Sequence, residues 1–520
     1  MVWSRIAAFL PEILIVTSFL ERHSDKIVGT ITCFDRIIIQ GTLPEICHPH
    51  AITGFFNRHR IRIFDFKPWA KPMRDEINKN VETIAAENGI QIEFVRRSKD
   101  SKEERVQEVI ARRGDHPGIV HILSAMESCT AFKPWHDKQT HKTFFKYDSG
   151  RCLHYYIYFI DKDFGLCYLR IPTWAPYRLQ FYFNGHNWLA RQLDKKGIAY
   201  EQVENAFIRI DDFEKAQKLA DKFSVTRLHK FLRRCARRFC PVISRFRSGV
   251  HWSIMQAEYA TDVIFKDHES LAPIYEELVR TLAHAVKPDN IAMFLGKRLD
   301  PRYEGELGGQ FSTRIEGHTI RHFMGVNGIK MYDKFGLILR IETFSNDISF
   351  FKHHRRVEHR DGTYSYKTAN MRKTIYSLPD LAEVMRGCNR RYLNFLSAVD
   401  DPTNGIKRVN KISRPVKESG RSYRGFNVFR LDDEAVFHAI AQGGVQGFGI
   451  RNRELRALLG KTSGQVSRIL KRLRNHGLIK KVGNRYKYYL TSLGRQVVAT
   501  SLKLKELFII PNLRGELRFA

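Results

Sequence analysis

The chain has 520 residues, with 87 Lys+Arg against 55 Asp+Glu and a formal net charge of +32. Its 43% hydrophobic and 27% charged residues suit a folded globular protein and exclude intrinsic disorder. On an enzyme of neutral substrates a charge of +32 would mainly add self-repulsion, so the composition points to a polyanionic partner and away from small-molecule metabolism.

At about 100–200 residues per domain, the length predicts three or four domains. The eight cysteines show no CxxC spacing, which fits a reducing cytoplasm. Residues 6–20 are apolar apart from Glu12, Thr17 and Ser18. That run is too short to span a bilayer, holds Pro11 and Glu12 near its middle and precedes no small-residue cleavage site, so it reads as a buried or capping helix, or partly as upstream sequence from a misplaced start. No later apolar run reaches spanning length, and a cytoplasmic protein without membrane contact is expected.

Residues 27–130 alternate strand-like and helix-like stretches: strands at 27–32 and 36–42, a helix over 71–88, a strand at 90–96, a charged helix over 102–113 and a buried strand at 120–124. This alternation predicts an α/β domain over 1–150. Strands at 153–160 and 165–171 flank a turn and predict a hairpin, opening an α+β central domain over 151–400. Helical patterns follow over 211–240, 253–265 and 271–286, then a β-rich stretch at 291–343 and a helix over 378–399. Residues 401–425 hold Pro402, Asn404, Gly405, Pro415, Gly420 and Gly425 among many charges and read as a linker. The expected fold class is therefore multidomain, α+β and α/β, with a mixed sheet ahead of a separate domain over 426–520.

In that last segment, 433–442 carries a helical apolar stripe and 451–460 a second helix closed by Gly460. Thr462 or Ser463 caps a third, with Val466, Ile469, Leu470 and Leu473 inward. Two short strands flank 482–485, and a final helix starts at Thr491. Residues 421–520 hold 20 Lys+Arg and 6 Asp+Glu, a net +14. Helix, turn, helix, two-stranded wing and helix resembles the MarR-like and other winged helix-turn-helix domains, most clearly in SGQVSRILKRLRNHGLIKKVGNRYKYYLTSLGR. Double-stranded DNA is the partner this implies. A helix with one basic face fits the major groove, which makes Gln465, Ser467 and Arg468 base-edge candidates. Lys471, Arg472, Arg474, Lys480 and Arg485 are phosphate candidates. Protein contacts or homodimerisation through the same domain stay open.

The β-rich stretch contains Phe294-Leu295-Gly296-Lys297-Arg298, then Gly328-Ile329-Lys330-Met331-Tyr332-Asp333-Lys334, then Leu339-Arg340-Ile341-Glu342. Their order resembles the GSR…RxYDK…RxE succession of rolling-circle replication initiators. The resemblance implies Tyr332 as a nucleophile that forms a phosphotyrosyl bond, and Asp333 and Glu342 as carboxylates holding Mg²⁺ or Mn²⁺. The paired strand histidines of many such nickases have no equivalent. His48-Pro49-His50 contains a proline, and His318 and His322 are four apart, a helical spacing. Hairpin register offers a geometric test. A two-residue Phe335-Gly336 turn places Tyr332 with Leu339 and Ile341, whereas a loop of odd length brings Tyr332, Arg340 and Glu342 to one face. The plainer expectation is a structural hairpin with a packed tyrosine and a surface ion pair.

Residues 351–356 with His359 and Arg360 form a basic stretch suited to phosphates or to solvent. Trp174, Tyr177, Phe181, Tyr182 and Trp188 offer a stacking platform for single-stranded nucleic acid, or core. P-loop, GxGxxG, GxSxG and HExxH motifs do not occur. Through FDR…GTL, NGHNWLARQL and IKMYDKFGLILRIET most of the chain resembles a bacterial protein family to which no function attaches, which implies a bacterial origin. Two functions remain. One is a DNA-binding protein, regulatory or mobile-element associated, whose winged helix targets a large basic region to nucleic acid and for which the sequence names no cofactor. The other is a metal-dependent strand-transferring enzyme, replication-initiator or transposase-like, with Tyr332 as nucleophile.

Overall fold

The computed structural model describes residues 18–96, 101–300, 302–314, 317–400, 403–445, 449–481 and 487–513, and the chain divides after Asp400 into two compact units. The larger unit is built on one sheet. Its strands begin with β1 (Ile27–Thr42), β2 (Glu93–Phe94), β3 (Gly118–Asp137), β4 (Lys142–Asp161), β5 (Gly165–Pro172) and β6 (Leu179–Asn184). A separate hairpin, β7 (Tyr200–Val203) and β8 (Ala206–Ile210), intervenes. β9 (His251–Phe265), β10 (Leu307–Arg314), β11 (Gly317–Met324), β12 (Asn327–Lys334) and β13 (Ile338–Ser345) complete the sheet. The order is β10-β11-β12-β13-β9-β1-β6-β5-β4-β3-β2, with β2 and β3 parallel and the other pairs antiparallel. A further ribbon, β14 (Lys352–Glu358) and β15 (Tyr364–Asn370), pairs only with itself.

The helices of this unit are α1 (Phe19–Arg22), α2 (Pro49–Arg58), α3 (Phe66–Glu87), α4 (Lys102–Arg113), α5 (Gly185–Lys196) and α6 (Phe213–Ala220). α7 (Val225–Phe239), α8 (His268–Ala285), α9 (Pro288–Phe294) and α10 (Leu378–Asp400) follow. Alternation along the strands sends apolar side chains to one side. Ile37, Ile39, Leu169 and Phe181 meet Ile77 and Val81 of α3 and Leu228, Phe231 and Leu232 of α7. On the same side, Ile329, Met331, Leu339 and Ile341 meet Leu271 and Leu278 of α8 and Tyr392 and Leu396 of α10. The other side carries α4 at the β3 end, where Val106 meets Leu123, Ala125 and Tyr156. Around β9, β12 and β13 that side holds polar residues.

The architecture is a mixed α/β one with a large mixed sheet, but several local expectations fail for identifiable reasons. Residue 150 lies inside β4, so the boundary expected there falls in the middle of the sheet. The strand–helix alternation before it feeds an antiparallel sheet with a single parallel pair, because β3, β4 and β5 turn back as hairpins. Strands 27–32 and 36–42 are one strand, kinked by a bulge between the Phe34↔Tyr259 and Ile37↔Ala257 pairs. Residues 253–265 are not a helix but β9. Their Met, Gln, Glu and Ala favour helix locally, yet the segment lies between β1 and β13, where sheet pairing overrides propensity. Residues 6–17 of the apolar N-terminal run lie outside the described residues. Among those described, no helix is long and apolar enough to cross a membrane.

The smaller unit comprises α11 (Thr403–Ser413), the hairpin β16 (Val416–Glu418) and β17 (Arg421–Tyr423), and α12 (Leu431–Val445). β18 (Ile450–Arg451), α13 (Asn452–Leu459), α14 (Ser463–Asn475), β19 (Ile479–Lys481), β20 (Lys487–Leu490) and α15 (Ser492–Leu504) follow. The three strands β18-β20-β19 form a small sheet, and Phe426, Val436, Ile440, Leu455, Val466, Leu470, Leu473 and Val498 form the core. The expected linker is thus structured. Ile412 of α11 packs on that core, and Gly425 is a close-approach position where a Cβ would lie 1.8 Å from the Ser413 carbonyl oxygen.

Candidate active site and nucleic-acid interface

Three residues, 335–337, join β12 to β13, with Phe335 and Gly336 both left-handed (φ 60° and 68°). The register pairs Tyr332 with Arg340 and Lys330 with Glu342. This is the odd-length loop, so Tyr332, Arg340 and Glu342 share a face. Asp333 points the opposite way. It lines a cavity of about 770 Å³ with His268, Tyr275 and His318 on the α8 side, and so does not join Tyr332 in a catalytic group.

The neighbouring strand continues the polar face, since β13 pairs Arg340 with Asp262 of β9. Arg340 is wholly buried and donates to Asp262 from Nε at 2.6 Å and Nη2 at 2.7 Å, while Nη1 lies 3.4 Å from Asp35 Oδ1. Asp35 comes from the β1 bulge, which turns it toward β9. His186 enters from the start of α5, with Nδ1 3.0 Å from Asp35 and Nε2 3.3 Å from Asp262. Asn184 accepts the His186 N–H at 2.8 Å, capping α5, and donates to Asp35 at 3.1 Å. Gly185 is required between them, because a Cβ there would lie 2.0 Å from the Phe34 carbonyl oxygen. Asn205, in the β7–β8 turn, adds a hydrogen bond to Asp35 at 2.7 Å. Burial alone would raise both aspartates, but Arg340 and His186 outweigh it and hold the carboxyls below their ordinary range. His186 lies well above its ordinary value: burial opposes the imidazolium, and the flanking carboxylates retain it.

Beside this network the half-buried Tyr332 hydroxyl donates to Glu342 Oε2 at 2.7 Å. Lys330 Nζ lies 3.2 Å from Glu342 and 3.5 Å from Glu258. One oxygen each of Asp35, Glu258 and Glu342 falls within 4.8 Å of the others. Four carboxyl groups (Asp35, Asp262, Glu258, Glu342) thus face three basic groups (Arg340, Lys330, His186), and Glu342 is driven toward its protonated form. Burial pushes its pKa up to about 8, with Asp35 and Glu258 adding to the effect against Lys330. Burial and the Glu342 charge also push the Tyr332 hydroxyl well above its usual range. Three hard oxygen donors at this spacing fit Mg²⁺ or Mn²⁺, and such an ion would expel the Glu342 proton.

A pH signature follows. The folded pKa of Glu342 exceeds its unfolded one, so its stabilising contribution is full below the unfolded value and is lost as pH rises through about 8. Gln at this position does not titrate. In urea melts of metal-free protein, Glu342→Gln is expected to match wild type under acid conditions and to exceed it by several kcal/mol once the pH passes about 8. A variant no more stable than wild type in alkaline buffer would contradict the proposed crowding of carboxylates.

No family model matches the chain, and no curated protein matches it. Among solved structures, a rolling circle replication initiator protein from Geobacillus stearothermophilus matches at 8% identity and a TM-score of 0.19, over 69% of this chain and 97% of that one. So low a score carries no argument about fold, residues or function.

The remaining predicted residues divide. Gly296, Lys297 and Arg298 follow α9, and Lys297 donates to the Phe350 carbonyl oxygen rather than joining the cluster. Tyr177, Phe181, Tyr182 and Trp188 are packed, so the aromatic platform is core. His48 caps α2, and His318 and His322 lie on strand β11 rather than on a helix. In the smaller unit Arg472 is not a phosphate contact. It is buried in a bidentate pair with Asp433 (2.7 and 3.0 Å), donates to two backbone carbonyls and lies 3.8 Å over the Phe426 ring. The buried Asp433 needs that partner. Lys471 and Arg474 lie 3.3 and 3.6 Å from Glu418. Gln465 closes the α14 cap with Thr462, and Ser467 accepts from Asn452 at 3.0 Å. Arg468 and Lys480 are exposed, and Arg485 lies outside the described residues. Sequence reasoning missed Asp35, His186, Glu258 and Asp262. The helical pattern of 253–265 hid Glu258 and Asp262, which align with the cluster only because that segment is β9.

Proposed function

We propose that the larger unit cuts and transfers a DNA strand with Tyr332 as nucleophile, and that the smaller unit is a winged helix directing it to double-stranded DNA. The observation that carries the first half is the convergence of Tyr332, Lys330, Asp35, Glu258 and Glu342 on one sheet face from four strands. The second half draws support from the succession α13, left-handed Gly460, α14, β19, β20 and α15, from exposed Arg468 and Lys480, and from the local charge.

Mg²⁺ or Mn²⁺ held by the three carboxylates would supply charge stabilisation at the scissile phosphate. Tyr332 Oη attacks phosphorus and passes its proton to Glu342 Oε2, the oxygen it already contacts. The Oη–P bond forms as the bond from phosphorus to the departing sugar oxygen breaks, and that oxygen leaves as a hydroxyl after taking a proton from solvent water. Lys330 adds positive charge on the same face. Attack by a second sugar hydroxyl on the phosphotyrosyl bond reverses these steps and completes transfer.

The test incubates purified protein with labelled single- and double-stranded DNA and Mg²⁺ or Mn²⁺, followed by denaturing gels and peptide mapping. A metal-dependent covalent adduct on the peptide bearing Tyr332 is expected. Salt-sensitive binding with neither cut nor adduct, across both metals and both strand forms, would withdraw the cutting activity and leave a DNA-binding protein.

A further inference from the structure

We infer that the β14–β15 ribbon is an arm that enters the major groove of B-form DNA. Its seven residue pairs run from Lys352↔Asn370 to Glu358↔Tyr364, and strand alternation sorts them into two faces. His353, Arg355, Val357 and Ala369 are half-buried, with His353 Nδ1 3.4 Å from Asp380 at the start of α10. The opposite face exposes Lys352, His354, Arg356, Tyr364, Tyr366 and Thr368. Its aromatic rings have side-chain partners on β14. The Arg356 guanidinium lies 3.9 Å over Tyr364, and the His354 ring is within 22° of parallel to Tyr366. Both tyrosines are more than half exposed (57% and 65%), so they stabilise little within the unit itself. Residues 352–370 hold five Lys+Arg against Glu358 and Asp361.

Charge selects a polyanion, and shape selects which one. The B-DNA major groove is about 12 Å wide and admits a two-stranded ribbon, whereas the major groove of duplex RNA is too narrow for side-chain entry. Seven pairs at about 3.4 Å per residue extend about 24 Å, close to seven base-pair steps. A lipid surface fits poorly, because the exposed face offers no aliphatic side chain for insertion.

The ribbon is rooted in the sheet that holds the carboxylates. The Ile254 N–H donates to the Lys373 carbonyl at 2.6 Å, and Glu258 lies four residues farther along β9, about 13 Å away. At its base His229 of α7 lies 2.7 Å from the Tyr376 hydroxyl. The exposed side of α7 continues with Lys230, Arg233, Arg234, Arg237 and Arg238 around a depression of about 590 Å³, a surface for backbone phosphates.

This inference rests on nucleic acid being the partner of the larger unit, not on strand cutting. The test uses the full chain, wild type against Arg356→Gln/Tyr364→Ser/Tyr366→Ser, with fluorescence anisotropy on a DNA duplex and an RNA duplex of equal length across a salt series. All three side chains are exposed, so equal unfolding midpoints are expected. The variant is expected to bind the DNA duplex about tenfold more weakly, with a salt slope shallower by about 1, and RNA duplex weakly like wild type. Unchanged DNA affinity and slope, or an equal loss on RNA, would overturn the inference. So would duplex binding that disappears entirely in Arg468→Gln while the ribbon variant retains it. A wild type that forms no covalent adduct yet shows ribbon-dependent duplex binding removes the cutting reading alone.

Discussion

Replacing Tyr332 by phenylalanine is expected to eliminate the covalent protein–DNA adduct and to lower strand cutting by at least about a thousandfold, equivalent to about 4 kcal/mol of barrier. The substitution removes one oxygen. The ring stays on the β12 face, opposite Arg340, and its half-buried packing is preserved. What is lost is the group that donates to Glu342 at 2.7 Å, so the proton route and the nucleophile vanish together. DNA affinity measured without metal should change less than about threefold, because no phosphate charge is removed. Cutting that persists in Tyr332→Phe at the wild-type rate would exclude this tyrosine, and a water molecule activated on the same carboxylates would then be the nucleophile.

Arg340→Leu is expected to be the most damaging single change to the larger unit, costing about 3–5 kcal/mol in urea unfolding at neutral pH. Arg340 is fully buried and touches Asp262 through two nitrogens, Asp35 through a third and the Asn205 carbonyl through Nη2 at 2.8 Å. Leucine leaves two carboxylates facing one imidazolium. The pH dependence has a defined sign. In the wild type both aspartates are held below their ordinary range, so the stability they contribute is present above the unfolded pKa and is lost as pH falls through the folded one. Without Arg340 the buried carboxyls prefer their protons, and the deficit of the variant should shrink as pH is lowered toward about 4. A neutral-pH loss below about 1 kcal/mol would mean that the network is dispensable. Arg340→Lys should recover only part of the loss, since an ammonium cannot engage Asp262 through a fork.

Only the β12–β13 part of the candidate site was legible from local pattern. The period of β12 and β13 placed Tyr332, Arg340 and Glu342 together once the loop between them had an odd number of residues, and that number is decided by two left-handed residues, one of them Phe335. A phenylalanine at positive φ is not something a reader of turns anticipates. The rest of the site depends on long-range pairing. Asp35 reaches the cluster only because β1 bulges against β9, and Glu258 and Asp262 align only because β9 is a strand. In the smaller unit the helices after residue 430 were readable from caps and apolar spacing, whereas α11 lies in the segment that reads as a linker. Arg472 was not readable, because its inward course depends on Asp433, 39 residues earlier.

The central pairing of the sheet has a consequence for how the protein is made. β1 is hydrogen-bonded along its length to β9, more than two hundred residues later, and β9 needs β13 on its other edge. Contacts so distant in sequence close slowly, and during synthesis the N-terminal strand must wait, partly unpaired, for its neighbour to leave the ribosome. The carboxylate cluster draws on β1, β9 and β13, so no nascent fragment ending before Glu342 holds all of it. A cluster built in this way stays incomplete until the sheet that contains it is nearly finished.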